Sequence, residues 1–482
     1  MQDVLFSYGV EFPCGGTGRC KGCRLRVLRG NLPPSPQQAE TLTAGELEEG
    51  WRLACLCNAD DDLTLDVGQW EAPILTDHTP FHFIPADGYG IAIDLGTTTL
   101  AAQILDLRTG QVLGVETSRN PQAVQGADIM SRVQYALAAS GQKELESLIR
   151  QETGRLVKNL TVNSEALLEQ VRFAVVVGNT VMHHLFGGVE ITPLSHYPFE
   201  PVKDGRLEFS PSQLGWPLPG SCQIAFLPCL GGFVGSDILA GILATRIHEG
   251  DDLCLLIDLG TNGEIVLGNR QGMHCASTAA GPAFEGGRIS MGMQASSGAI
   301  SAVELEEEKL KCHVIGNVPP RGICGSGLVD AVAAGLSTEV IGPSGRIRGG
   351  KESWLLLPPV SLTQADIREL QLAKGAIAAG IQILLERRGA RESDIKRIYL
   401  AGAFGNYINL QSARRIGMLD FPEEKIEPVG NTALLGAKIA LFQWAAGQTQ
   451  QEEIRSIITH VPLAADPLFQ DKYVEAMTFP NS

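Results

Sequence analysis

The sequence predicts an α/β protein with two similar lobes, preceded by a small cysteine-bearing module of mixed α and β structure. Two observations predict the lobes. Ile93-Asp94-Leu95-Gly96-Thr97-Thr98-Thr99 and Ile257-Asp258-Leu259-Gly260-Thr261-Asn262-Gly263-Glu264 each run an apolar strand into Asp-Leu-Gly-Thr, and each is followed by a second apolar strand. The third observation, for the module, is three cysteines within ten residues of a glycine-rich stretch, Cys14-Gly15-Gly16-Thr17-Gly18-Arg19-Cys20-Lys21-Gly22-Cys23. One Asp-Leu-Gly-Thr is ordinary turn chemistry. Two copies in matching contexts read as two halves of one nucleotide cleft. An Asp ending a strand can hold hydrated Mg²⁺, while glycines, turn N–H groups and threonine hydroxyls cradle phosphate oxygens.

The 482 residues leave room for about three domains, and 55 glycines with 44% hydrophobic residues fit tight-turned α/β structure rather than disorder. A formal net charge of −16 argues against nucleic acid and anionic membrane surfaces as partners. No apolar run reaches a bilayer span and Met1-Gln2-Asp3 lacks a signal-peptide pattern, so a soluble cytoplasmic protein is expected. In a reducing compartment the 11 cysteines read as ligands or small buried hydrophobes.

Residues 1–70 are assigned to the module. After the glycine loop come an alternating strand, Arg24 to Gly30, a Pro-rich turn and a further pair in Arg52-Leu53-Ala54-Cys55-Leu56-Cys57. Such a loop suits an iron–sulfur cluster, because small residues let backbone N–H groups face the sulfurs. Structural zinc on Cys20, Cys23, Cys55 and Cys57 is the alternative, and it leaves Cys14 unexplained. Asp60-Asp61-Asp62 reads as a solvated turn, and residues 71–88 as an interdomain connection without periodicity.

The first lobe is expected over 89–250. Gly90–Asp94 is a buried strand, and 100–107 with 111–117 continue a meander through the Arg108-Thr109-Gly110 turn. A long helical region is expected from Gly126 to about Glu169, then a buried parallel strand, 172–178. Asn179-Thr180 caps a helix whose His183 and His184 are read as packing. Asp237, opening the helix 238–247, suits either a dipole-stabilised cap or a catalytic carboxylate.

The second lobe is expected over 251–482. Gly281 lies in a small-residue loop able to approach a ligand, and Gly402-Ala403-Phe404-Gly405 follows the strand 398–400 as a slot for adenine and ribose. A small-residue helix begins after Gly430, of the sort that packs at a hinge and returns to the lobe interface. Cys324 is read as a buried thiol; Cys222, Cys229, Cys254, Cys275 and Cys312 show no ligand spacing.

The N-terminal stretch resembles the plant-type [2Fe–2S] ferredoxins, with Cys-x5-Cys-x2-Cys where the plant pattern has x4 in the first gap. The resemblance implies a β-grasp module with Cys14, Cys20, Cys23 and Cys55 as ligands, Cys55 being preferred to Cys57 through the phrase Arg52-Leu53-Ala54-Cys55. Asp94-Leu95-Gly96-Thr97, the helix from Asp237, Asp258-Leu259-Gly260-Thr261, Gly402-Ala403-Phe404-Gly405 and the helix after Gly430 match, in order, the five signature segments of the acetate/sugar kinase, Hsp70 and actin superfamily. That resemblance implies an actin-like ATPase with RNase H-like sheets. Asp94 and Asp258 would hold Mg²⁺ through water and Asp237 would be catalytic with them. ATP would lie against Gly96, Thr97, Thr98, Thr99, Gly260, Thr261, Asn262, Gly263, Gly281 and the 402–405 segment.

Joined, the two parts are similar to the ATP-dependent reductive activators of corrinoid proteins. The resemblance implies an ATPase that moves one electron from a [2Fe–2S] cluster to a corrinoid or other metalloprotein, supplied by an external low-potential donor. An iron–sulfur enzyme as acceptor, or a small-molecule kinase with a regulatory cluster, are the alternatives. A homodimer is left open. Larger members of the family carry a linker and a middle domain between cluster and ATPase; with about 20 residues between them here, that middle domain is expected to be missing.

Overall fold

The computed structural model describes Leu5 and residues 23–42, 44–57, 62–66, 77–164, 166–260, 262–307 and 309–481. Strand β1 (Arg24–Arg29) is flanked antiparallel by β2 (Trp51–Leu53) and β3 (Thr64–Asp66). Between them lie short helices α1 (Pro36–Thr41) and α2 (Ala44–Glu48). The period-two pattern of β1 sends Leu25 inward, where it joins Leu5, Cys23, Leu42, Leu53 and Ala54 in one small core. A helix over Met1 to Gly9, which the resemblance to the ferredoxins implies, lies outside the described residues, Leu5 apart.

The two lobes repeat one sheet plan. In the first, β4 (Tyr89–Leu95), β5 (Thr99–Asp106) and β6 (Val112–Arg119) form an antiparallel meander. The strands β7 (Val171–Val177) and β9 (Gln223–Phe226) extend it in parallel, and β8 (Leu207–Phe209) closes the edge. In the second, β10 (Cys254–Leu259), β11 (Gly263–Asn269) and β12 (Gly272–Thr278) repeat the meander and β18 (Arg397–Ala401) and β19 (Ile426–Gly430) repeat the parallel pair, but the sixth strand, β20 (Ile458–His460), lies on the opposite edge, parallel to β12. Asp94 and Asp258 are therefore equivalent, each the penultimate residue of its lobe's central strand. The second lobe also carries β13 (Ala299–Glu306), β14 (Lys309–Val314), β15 (Gly322–Ile323) and the hairpin β16 (Ser353–Leu357) to β17 (Val360–Thr363).

The expected helical region 126–169 is two helices, α3 (Ile129–Ala136) and α4 (Gly141–Asn163). The chain turns tightly between them: a Cβ on Gly141 would stand 2.1 Å from the Tyr135 carbonyl oxygen. After β7 comes α5 (Thr180–Gly187), capped by the Asn179 side chain on the Met182 N–H at 3.0 Å. Its His183 and His184 are fully buried, bonded to the carbonyls of Gly205 and Thr180, so they pack as expected.

Two helices bind the lobes together. Helix α6 (Ser236–Thr245) ends the first lobe's chain, and α10 (Thr432–Ala445) comes near the end of the second. Between them in sequence run α7 (Gly325–Ser337), α8 (Gln364–Arg388) and α9 (Gly402–Tyr407). Helices α6 and α10 share a core with Ala92, Leu105 and Val175 of one sheet and Leu256, Val266 and Tyr399 of the other. They cross so closely that a Cβ on Gly436 would lie 1.9 Å from the Ala240 carbonyl oxygen.

Residues 77–88, expected as a plain connection, are packed. Lys438 of α10 forms a buried ion pair with Asp77, the two residues being 1% and 4% exposed. Phe81 and Phe83 lie against Phe442 at 5.2 and 4.5 Å between ring centroids. Removing one partner of such a buried pair costs about 3–5 kcal/mol. The module also touches the second lobe: Arg321 stands 3.7 Å from Asp66, and the Arg24 guanidinium donates to the Arg321 carbonyl at 3.4 Å. Both charged side chains of that contact are about a third exposed, which places it near 0–1 kcal/mol.

Gly436→Val should lower the thermal midpoint of the ATPase lobes, because the helices cannot separate without opening the shared core, at a cost of about 1–3 kcal/mol. An unchanged calorimetric transition would show that the crossing tolerates a side chain.

Candidate functional site

The two Asp-Leu-Gly-Thr turns face one cleft. In the first, the Gly96 N–H donates to the Thr99 carbonyl at 3.1 Å, and a Cβ on Gly96 would meet that oxygen at 2.5 Å, so the turn needs glycine. Its carbonyls are held from behind. Asn120 Nδ2 donates to the Gly96 oxygen at 2.9 Å, and the buried Arg132 guanidinium donates to the Thr97 oxygen at 2.5 Å. Because a trans peptide directs its N–H opposite its C=O, the N–H groups of Thr97 and Thr98 turn away from that buttress. The Thr97 hydroxyl accepts from Asn179 Nδ2 at 2.9 Å. In the second turn the Gly260 N–H donates to the Asn262 carbonyl at 3.0 Å. Thr261 lies outside the described residues.

Four carboxylates share the cleft. Burial raises Asp94 to about 6, with the Asn431 amide, 2.9 Å from Asp94 Oδ2, pulling the other way. Burial and then repulsion from Asp94 raise Asp258 to about 7. Burial, then Asp258 and Asp94, raise Asp237 to about 8. Glu264 is raised well above the usual carboxylate range by burial and then by Asp237 and Asp258, and it accepts from the Ser277 hydroxyl at 3.1 Å. Among the described residues, no three His, Cys, Asp or Glu converge closely enough to ligate one ion directly. The set fits a cation that keeps its own water shell, as Mg²⁺ does, rather than one held in a closed cage.

Asp237 is not the helix cap. Gly235 holds that position, pressed so near β7 that a Cβ there would be 2.2 Å from the Gly178 oxygen. The Asp237 carboxylate sits in the first turn, accepting from the Ile238 N–H at 2.9 Å. Gly402 has φ +84°, and a Cβ there would stand 2.6 Å from Asp258 Oδ1, so the turn into α9 approaches that carboxylate as only glycine allows. Gly281 also adopts positive φ, with open space beside it. Phe404 is buried and stacked on Phe284 at 4.6 Å between ring centroids.

Sequence reasoning missed Glu264, Asn431, Asn120, Asn179 and Arg132. The ladder places Glu264 directly opposite Asp258, a signal available in the tight turn between their strands. The other four approach from distant segments and carry no local signal.

In the N-terminal module, the β1–β2 register pairs Arg24 with Leu53, and the Ala54 N–H donates to the Cys23 carbonyl at 3.0 Å. Cys23 and Cys55 therefore come to the same end of the sheet, while Cys14 and Cys20 lie outside the described residues. Cys57 is committed elsewhere: its buried thiol donates to the Leu53 carbonyl at 3.1 Å and accepts from Gln38 Nε2 at 3.4 Å, and burial raises its pKa. A thiol held protonated in a core is a poor iron ligand. Cys55, half-buried, suits that role.

A two-lobed sheet duplication with phosphate turns, behind a cysteine-loop module, defines an ATPase of the ASKHA class carrying a [2Fe–2S] domain. Residues 252–482 match the C-terminal domain of RACo, the ASKHA domain; 89–250 match the RACo middle region; and 2–60 match the 2Fe-2S iron–sulfur cluster binding domain. The corrinoid activation enzyme RamQ of Eubacterium limosum is 33% identical over 98% of this chain and 95% of its own. The [Co(II) methylated amine-specific corrinoid protein] reductase of Methanosarcina barkeri is 29% identical over 81% and 77%. A solved reductive activator for a corrinoid, iron–sulfur protein superposes with a TM-score of 0.72 at 27% identity, covering 100% of this chain and 95% of that one. The chain belongs to the family of reductive activators of corrinoid proteins. The expected loss of a middle domain is corrected: the family's middle region is the first lobe itself, present over 89–250.

Two outcomes test the site. A carboxylate raised above its unfolded value binds its proton more tightly in the folded state, so stability is fullest below about pH 4 and is lost as pH rises through 6 to 8. Against Asp258→Asn, the nucleotide-free wild type should therefore lose more thermal stability between pH 5 and 8, and Mg-ATP should remove the difference; parallel profiles would show that Asp258 titrates normally. Cys55→Ser should bleach the visible spectrum of the anaerobically prepared protein while Cys57→Ser retains it, and the reverse would exchange their roles.

Proposed function

We propose that this chain uses ATP to drive one electron from its [2Fe–2S] cluster to a corrinoid protein, reducing Co(II) to Co(I). The observation that carries the reading is full-length likeness to corrinoid activators in both parts, cluster domain and ATPase alike. Plant-type clusters sit near −400 mV. An acceptor harder to reduce by some 300 mV needs roughly 7 kcal/mol, at about 1.4 kcal/mol per 59 mV for one electron. A cleft that closes differently on ATP and on ADP supplies a term of that size by favouring the complex in which the acceptor is easier to reduce.

Cys14, Cys20, Cys23 and Cys55 would hold the cluster, which when bound supplies a one-electron store. Asp94 and Asp258 would hold a hydrated Mg²⁺ ion, which when bound would supply positive charge to the ATP phosphates. Asp237, whose raised pKa suits proton exchange near neutrality, would orient the attacking water. The N–H groups of Thr97 and Thr98 would receive phosphate oxygens, and Glu264 would share the cation's water shell with Asp258. The chemical step is ATP plus water to ADP and phosphate; the cluster would supply the electron, and an external low-potential donor would restore it. A protein rather than a small molecule is the acceptor in this reading, as it is by name for the Methanosarcina reductase.

Asp258→Ala should abolish ATP hydrolysis and leave the cluster spectrum intact, whereas Cys23→Ser should bleach the cluster and leave ATP binding. A phosphorylated metabolite accumulating with ATP turnover would move the protein to the sugar-kinase side of the superfamily.

A further inference from the structure

Three asparagines from separate parts of the chain converge on the stretch 94–97. Each stands at the N-terminus of a helix and uses its side-chain amide twice. Asn120 caps the helical turn Pro121–Val124: its Oδ1 accepts from the Gln122 N–H at 3.0 Å, and its Nδ2 donates to the Gly96 carbonyl at 2.9 Å. Asn179 caps α5 through the Met182 N–H at 3.0 Å, and its Nδ2 donates to the Thr97 hydroxyl at 2.9 Å. Asn431 caps α10 through the Leu434 N–H at 2.8 Å, and its Nδ2 donates to Asp94 Oδ2 at 2.9 Å. A backbone N–H can only donate, so each cap fixes which end of the amide is the oxygen, and the NH₂ end must face the turn. The Gly96 carbonyl and the ionised Asp94 carboxylate accept whatever stands beside them. The Thr97 hydroxyl can donate or accept, and here Asn179 decides. Facing an NH₂ group, the hydroxyl accepts on that side and its own hydrogen turns elsewhere. Among the described residues it donates to no protein group. Asn179 is 6% exposed, so water competes little for its amide.

We propose that Asn179 is a positioning residue for the nucleotide: by making the Thr97 hydroxyl an acceptor on one side, it aims the hydroxyl hydrogen at a phosphate oxygen on the other. The inference rests on the ATP-driven reading above. Phosphate oxygens accept hydrogen bonds, so a hydroxyl already turned to donate meets them without being ordered at the moment of binding. The helix cap supplies that order in advance. One amide ties α5 to its first turn and, with its other end, sets the direction of a donor in the phosphate turn.

Calorimetric binding of the probe Mg-AMPPNP to the full-length, cluster-loaded protein tests this, arranged as a double-variant cycle with Thr97→Val. Asn179→Ser keeps a capping oxygen of similar quality and loses the reach to Thr97. It should bind the probe about three- to tenfold more weakly, the worth of one hydrogen bond, with its thermal midpoint unchanged. In the Thr97→Val background the same substitution should move the dissociation constant by less than about twofold. Asn179→Asp, which serves should the serine variant fold less stably, keeps the cap and the reach but offers only acceptors, and so takes the hydroxyl hydrogen for itself. Its loss of binding should exceed the serine variant's, and part of that loss should vanish when Thr97 is valine. Wild-type binding by Asn179→Ser, as a residue that only caps a helix would give, overturns the positioning role and leaves the ATPase standing. An equal fall in both backgrounds for either variant does the same. A wild type that does not bind Mg-AMPPNP overturns the functional reading and this inference with it.

Discussion

The architecture turns on crowding of negative charge. Asp94, Asp237, Asp258 and Glu264 are brought together where two sheets and a helix meet; burial raises each above its ordinary pKa, and repulsion from neighbouring carboxylates adds to this for Asp237, Asp258 and Glu264. Such an arrangement is unfavourable in isolation and persists because the surrounding elements over-determine it. The central strands end there, Gly235 presses α6 against β7, and Asn431 reaches from α10 to Asp94. In the proposed reading, a divalent cation bound with the ATP phosphates would relieve that repulsion.

Much of this was legible in the sequence because the informative signals are local. Asp-Leu-Gly-Thr carries strand end, turn and ligand within a few residues, and its repetition announces duplication before any contact is known. The alternating Arg-Leu-Arg-Val of β1 and the apolar run of β7 show their strands for the same reason. What was hidden depends on long-range register. Glu264 becomes a cleft residue because the ladder sets it opposite Asp258. Arg132 and Asn120 act on a turn formed 35 and 24 residues earlier in the chain. Residues 77–88 have no periodicity, since their partners lie on a helix more than 300 residues away and on β5.

The module illustrates how a protein chooses between neighbouring cysteines. Cys55 and Cys57 differ by two positions, and composition alone favours neither. Gln38 decides: its amide donates to Cys57 and its carbonyl accepts from the Leu53 N–H at 3.1 Å, so one glutamine both fixes the turn and fills the thiol's hydrogen-bonding capacity. In the proposed reading, the choice of ligand is thus made by a residue outside the ligand set.

The contact between Gly436 and the Ala240 carbonyl has a mechanical consequence. Two helices in backbone contact leave almost no compressible side-chain layer between them, so they can roll about the touching point but cannot drift apart or slide without losing the packing on either side. The crossing therefore acts as a fulcrum. Small changes at the phosphate end become larger displacements at the outer rims of the lobes, and the direction of those displacements is set by the shape of the joint rather than by the nucleotide that triggers them.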